Sequence, residues 1–180
     1  ELIVSHLTTA LDRACKNPVN PYYNHYLFES LALLIRASCG TGVGDISEAN
    51  LACCAHFESL LFPPLQVILS QDITEFVPYV FQILAQLLNA RRPNSGLSDA
   101  YRALYTPLLS PTVWERKGNI PALVDLFKAY VSRGMEEIIG TNTLTAVLGI
   151  FQKLLSLRAT EVHAFNLLNA IFVYCPQATI

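Results

Sequence analysis

Charge is scarce in this chain. Asp, Glu, Lys and Arg make up 14% of its 180 residues, against roughly 25% in an average soluble domain. The twelve basic residues are nearly cancelled by fourteen acidic ones, which leaves no basic stripe for a phosphate backbone, so nucleic acid is not an expected partner. Uninterrupted apolar runs are short as well: none reaches the roughly 18 residues of a membrane-span candidate, and no membrane insertion is expected. The N-terminal ELIVSHLTTALDR has neither the basic head nor the cleavage site of a secretory signal. It also lacks an initiating methionine, while Leu2, Leu7, Leu11 and Ala14 already form a helical stripe. The expectation is a piece of a longer chain that opens inside a helix.

Chemical motifs are missing too. His6, His25, His56 and His163 belong to no HExxH-type motif, no serine sits in a GxSxG elbow, and the acidic residues are scattered singly. His25 reads as a helix-start or interhelix hydrogen-bonding residue rather than a base. The glycine-rich GTGVGDIS at 40–47 lacks the lysine and hydroxyl pair that hold phosphate and magnesium in a P-loop, and reads as a flexible loop. Cys15, Cys39, Cys53, Cys54 and Cys175 are odd in number and irregularly spaced. A zinc site from Cys39, Cys53, Cys54 and His56 would lack the usual CxxC knuckle, so buried free thiols in a reducing compartment are expected. No catalytic residue, cofactor or metal is expected, and the chain does not read as an enzyme.

What the chain has in quantity is apolar residues, 52% of the total, and prolines set into apolar segments: LFPPLQVIL at 61–69, FVPYVFQILAQLL at 76–88, LYTPLLSP at 104–111 and NIPALVDLF at 119–127. Pro64 and Pro107 are 43 residues apart, as are Pro78 and Pro121. Around the second pair the apolar pattern repeats in register. Val77, Val80, Phe81, Ile83, Leu84, Leu87 and Leu88 correspond to Ile120, Leu123, Val124, Leu126, Phe127, Tyr130 and Val131. A step of 44 gives Ala164, Leu167, Leu168, Ala170, Ile171, Tyr174 and Cys175. A period of roughly 40–47 residues with helical patterning is that of HEAT or armadillo repeats.

The fold expected is therefore all-α: a HEAT-repeat α-solenoid of antiparallel helix pairs, about four repeats over residues 1–180, internal to a longer solenoid because neither end shows a polar capping face. The first helices of the pairs are expected at 23–39, 72–90, 119–133 and 161–175, the second helices at 1–15, 48–70, 98–111 and 142–157. Asp72 with Glu75 has capping-box spacing and Asn119 is a candidate N-cap, while Arg91-Arg92-Pro93 and Ser132-Arg133-Gly134 read as stops. Pro121 falls in a first turn, where its missing N–H breaks no bond. Pro78, six residues past Asp72, is expected to remove the bond to the Thr74 carbonyl and bend its helix.

A solenoid ordinarily binds along its concave face, lined by one helix of each pair. The polar residues to follow on the second helices are Glu58, Gln66, Gln71, Asp99, Arg102, Gln152, Lys153 and Arg158, each of which either meets a partner or merely solvates its helix. Trp114 is either a binding hot spot or a wedge between helices. Beside it, Arg116 and Lys117 either reach a partner or line a turn.

The segments NPVNPYYNHYLFES, QDITEFVPYVFQIL, LLSPTVWERKGNIPALV and VLGIFQKLLSLRATEVHAFNLL resemble the importin-α re-exporters, the cellular apoptosis susceptibility type of exportin in the importin-β superfamily. The resemblance runs in order over most of residues 16–172, with departures in loops around 40–52, 90–98 and 134–142. It implies a non-catalytic nuclear transport receptor that binds importin-α together with Ran-GTP, passes nuclear pore proteins and shuttles between nucleus and cytoplasm. It also implies a middle-to-late position in the receptor. Arg102, Trp114, Arg116, Lys117, Lys153 and Arg158 are the partner-binding candidates. The alternative is a HEAT-repeat scaffold for protein assembly.

Overall fold

The computed structural model describes residues 2–16, 20–40 and 46–176. Among them every regular element is helical: α1 (Leu2–Lys16), α2 (Pro21–Cys39), α3 (Glu48–Ser70), α4 (Val77–Asn89), α5 (Asp99–Leu108), α6 (Ile120–Gly140), α7 (Leu144–Leu155) and α8 (Glu161–Tyr174), with 3-10 turns at Pro111–Trp114 and Lys117–Asn119. The loop expected at 40–47 lies, for residues 41–45, outside the described residues. The chain divides into two compact units, 1–91 and 92–180.

In the first unit α2 packs against α1, α3 and α4, and α3 against α1 and α4. Local chemistry sets the helix starts. The Asn20 side chain accepts from Tyr23 N at 3.1 Å just ahead of Pro21, whose absent amide is not missed in a first turn. Ser47 Oγ accepts from Asn50 N at 3.1 Å at the head of α3. Leu27, Phe28, Leu31 and Ile35 of α2 meet Phe57, Leu61, Leu65 and Ile68 of α3 in a buried core. Each such side chain is worth about 1.5–3 kcal/mol when withdrawn from water. The Phe28 ring stacks on Tyr79 at 4.8 Å and meets Phe76 edge-on at 5.2 Å.

In the second unit α6 is the central helix, with α8 against it and α7 against α8. Its core is aromatic. Tyr101, Tyr105, Trp114, Phe127 and Tyr130 are buried together. The Tyr130 hydroxyl donates to Tyr101 O at 2.9 Å, as a buried phenol must find a partner. Burial pushes the Tyr130 phenol, and that of Tyr105, above the ordinary value.

The repeated apolar stripe is the core. All seven positions are buried on α4 and all seven on α6; in the third copy Leu168 is half-buried and Tyr174 exposed, the other five being buried. Helix 48–70 stands where its pattern placed it, and most other bounds agree within two residues.

Several expectations are corrected or refined. The helix expected from 72 begins at Val77, so Pro78 lies in its first turn and bends nothing. Asp72 forms no capping box: it sits at φ 50° in the turn that closes α3. Asn119 does occupy the N-cap position of α6, but its side chain makes no cap hydrogen bond there. Ser132-Arg133-Gly134 bends α6 at Gly134 without ending it.

The segment 98–111 is also shorter than expected, α5 giving way after Leu108 to the 3-10 turns. Finally, averaged over an 18-residue window, α3 has a mean hydropathy of 1.3 and is long and apolar enough, by length and composition, to cross a membrane. In this fold it packs between other helices and carries the ion pair of Glu58 with Arg91.

Candidate functional site

The six partner-binding candidates fall at three places in the second unit. Around the 3-10 turns, Trp114 is buried, its Nε1–H donating to Leu108 O at 2.9 Å and its ring meeting Phe127 edge-on at 5.1 Å. It wedges the turn onto α6. The helix cannot simply continue here because Pro111 supplies no amide and starts the 3-10 turn instead. Lys153 of α7 reaches the same turn, its Nζ donating to Pro111 O at 2.7 Å and lying 3.7 Å from Glu115. Arg116 and Lys117 are exposed beside it. The structure thus brings Trp114, Arg116, Lys117 and Lys153 to one place.

Arg102 is elsewhere, on the first turn of α5. Its Nε and Nη2 donate to the Glu137 carboxylate at 2.7 and 3.0 Å, and Nη1 to Asp99 at 2.8 Å. The planar guanidinium fits this paired geometry. These hydrogen bonds raise the Arg102 pKa above its ordinary value and hold the Glu137 carboxyl below its own, helped by Leu97 N. Arg158 is exposed in the turn between α7 and α8. Among the other polar residues, Gln66, Gln71, Asp99 and Gln152 are exposed, whereas Glu58 is buried and bound by Arg91 Nε at 2.8 Å.

In the first unit the cysteines pack as thiols. Cys54 Sγ donates to Leu87 O at 3.2 Å, and burial pushes it up to about 12, with Glu58 adding to the rise. Burial likewise raises Cys39. Among the described residues no three His, Cys, Asp or Glu side chains are grouped to hold a metal ion. His25 Nδ1 hydrogen-bonds Tyr79 Oη at 3.1 Å, joining α2 to α4.

Sequence reasoning followed charge and missed apolar surface. On α2, Tyr22, Tyr26 and Leu33 are 80%, 66% and 62% exposed, and at i, i+4 and i+11 they share one face. On α8, Val162, Phe165, Phe172 and Val173 are also exposed, and Phe165 meets Phe151 of α7 edge-on at 6.2 Å. The signal was present as a second apolar stripe at helical period, on the side opposite the core stripe.

A family model described as CAS/CSE protein, C-terminus, matches residues 1–180. Among similar proteins, the importin-alpha re-exporter of Schizosaccharomyces pombe is 43% identical over 95% of this chain, and exportin-2 of Drosophila melanogaster 41% over 97%. Human exportin-2 is 38% identical over 99%. The chain spans only 17–18% of the length of these relatives. A solved structure of the exportin Cse1 in its cargo-free, cytoplasmic state superposes with a TM-score of 0.81 at 32% identity, over 98% of this chain and 17% of that protein. The fold is an all-α HEAT-repeat solenoid.

Proposed function

This chain belongs to the CAS/CSE family, and from that we propose that it is part of a nuclear export receptor that carries importin-α from nucleus to cytoplasm in complex with Ran-GTP. The observation that carries the reading is the similarity, over nearly the whole chain, to a protein named for re-exporting importin-alpha. Residues 1–180 make up about four HEAT repeats inside a longer solenoid, and the receptor shuttles through the nuclear pore, touching pore proteins on the way. It catalyses nothing; hydrolysis belongs to Ran. In a repeat stack each unit contacts only its neighbours, so two partners that favour the same form bind cooperatively through linkage alone.

Within this piece Arg116, Lys117 and Arg158, all exposed, are proposed to face a partner, while in this form Trp114 is committed to packing and Arg102 and Lys153 hold contacts of the fold. Depleting the full-length receptor from cells tests the function: importin-α accumulates in the nucleus, and the intact receptor restores its distribution. An unchanged importin-α distribution would leave the scaffold reading in its place. Restoring with an Arg116, Lys117 and Arg158 triple alanine variant then reports whether these repeats touch a partner.

A further inference from the structure

The loop of residues 92–98, which leads into α5, lies across the place where α6 leaves helical geometry. At Gly134 φ is −130° and ψ is 27°. Sharp bends have identifiable causes, and two are present. Leu97 crowds the glycine so closely that a Cβ at position 134 would stand 2.6 Å from Leu97 Cγ, so only glycine fits. Loop amides also reach α6 carbonyls at the bend. Asn94 N donates to Ser132 O at 3.3 Å, and Gly96 N to Arg133 O at 3.1 Å. In a straight helix those two carbonyls accept from the amides four residues on, Glu136 and Glu137.

Glu137, one turn past Arg133, closes the arrangement. Its Oε1 accepts from Leu97 N at 2.8 Å, and its two oxygens take the Arg102 fork. Between loop and helix lies a cleft of about 220 Å³, lined by Asn94, Ser95, Gly96 and the 133–137 segment.

We infer that the 92–98 loop is a latch that holds α6 bent at Gly134, with Glu137 as its catch. The Ser132 and Arg133 carbonyls have two possible sets of donors, loop amides in the bent form and helix amides in the straight form. Releasing the loop to water therefore conserves the backbone hydrogen bonding of α6. What differs between the forms is the burial of Leu97 and the bonds of Glu137, and both favour the latched form. Arg102 has a half-exposed side chain, so an acidic group of a bound partner can reach it. Drawing Arg102 from Glu137 is the event that frees the loop.

Hydrogen exchange followed by mass spectrometry on the full-length receptor tests this, comparing wild type with Glu137→Gln and, independently of charge, Leu97→Ala. Both variants are expected to exchange about tenfold faster over 92–98, as loss of a charge-assisted bond implies, and more slowly over 135–140 as α6 straightens. Faster exchange in both segments, or no change in either, would overturn the latch. So would the same response from Lys128→Ala, whose pair with Asp125 lies on α6 away from the loop.

Discussion

Asp72 and Asn142 stand in the left-handed region, at φ 50° and 57°, and each closes a helix in the same way. Ile73 N donates back to Ile68 O and Asp72 N to Leu69 O; Thr143 N donates to Ile138 O and Asn142 N to Ile139 O. This is the 6→1 and 5→2 pattern that satisfies the last carbonyls of a helix. Glycine takes that conformation without a Cβ penalty, so Asn142→Gly should raise stability by about 0.5 kcal/mol, while Asn142→Ala should lower it by about 1 kcal/mol. Denaturant midpoints read both.

Glu137 gives a pH dependence whose sign follows from its partners. Arg102 and Leu97 N hold its carboxyl below the ordinary 4.5 against the opposing effect of burial. A carboxyl depressed on folding contributes stability that is present above its unfolded value and is lost as pH falls through its native value. Wild type should therefore exceed Glu137→Gln in stability near neutral pH, and the gap should close as the solution is acidified below that ordinary value. A gap that held constant would contradict the ion pair.

Little of this was legible in the sequence. An Asp before an apolar run looks the same whether it caps the helix ahead or closes the one behind. Glu137 and its partners are distant along the chain, and no periodicity joins them.

At the scale of elements the sequence spoke more clearly, because a helix that packs on one side must repeat its apolar residues at 3.6. The stripe shared by α4, α6 and α8 is that signal, and the structure buries it on α4 and α6 and, apart from Leu168 and Tyr174, on α8. The prolines were legible in part. Pro21, Pro78, Pro111 and Pro121 all lie in first turns, where the missing amide costs nothing. Pro63, Pro64 and Pro107 lie inside helices. Pro78 was misplaced only because the start of α4 was.

Pro78→Ala should consequently leave helix content unchanged by circular dichroism and shift stability by less than about 1 kcal/mol, against the roughly 3 kcal/mol gain expected had it stood in a helix interior. A gain of the larger size would put the bend back. The length of α6 could not be read from Ser132-Arg133-Gly134. Gly134 does break helical geometry, but the loop whose amides bond the Ser132 and Arg133 carbonyls at the bend comes from another part of the chain.

At the scale of the whole molecule, scarce charge and abundant apolar residues leave exposed apolar faces, on α2 with Tyr22 and Tyr26 and on α8 with Phe165 and Phe172. These faces and the family membership support the proposal of a protein that works by contact. The candidate cations were only half legible. A sequence shows where Arg and Lys occur, but not that Arg102 is held by Glu137 and Lys153 by a carbonyl.

The proposal that the receptor carries importin-α together with Ran-GTP requires that binding depend on the nucleotide on Ran. The measurement that tests it most directly is a titration of importin-α into the full-length receptor, with Ran-GTP and Ran-GDP compared under the same conditions. The account predicts tight binding with Ran-GTP, weakened at least about tenfold with Ran-GDP, a coupling of the size usual between linked sites. Equal affinity in the two would contradict it.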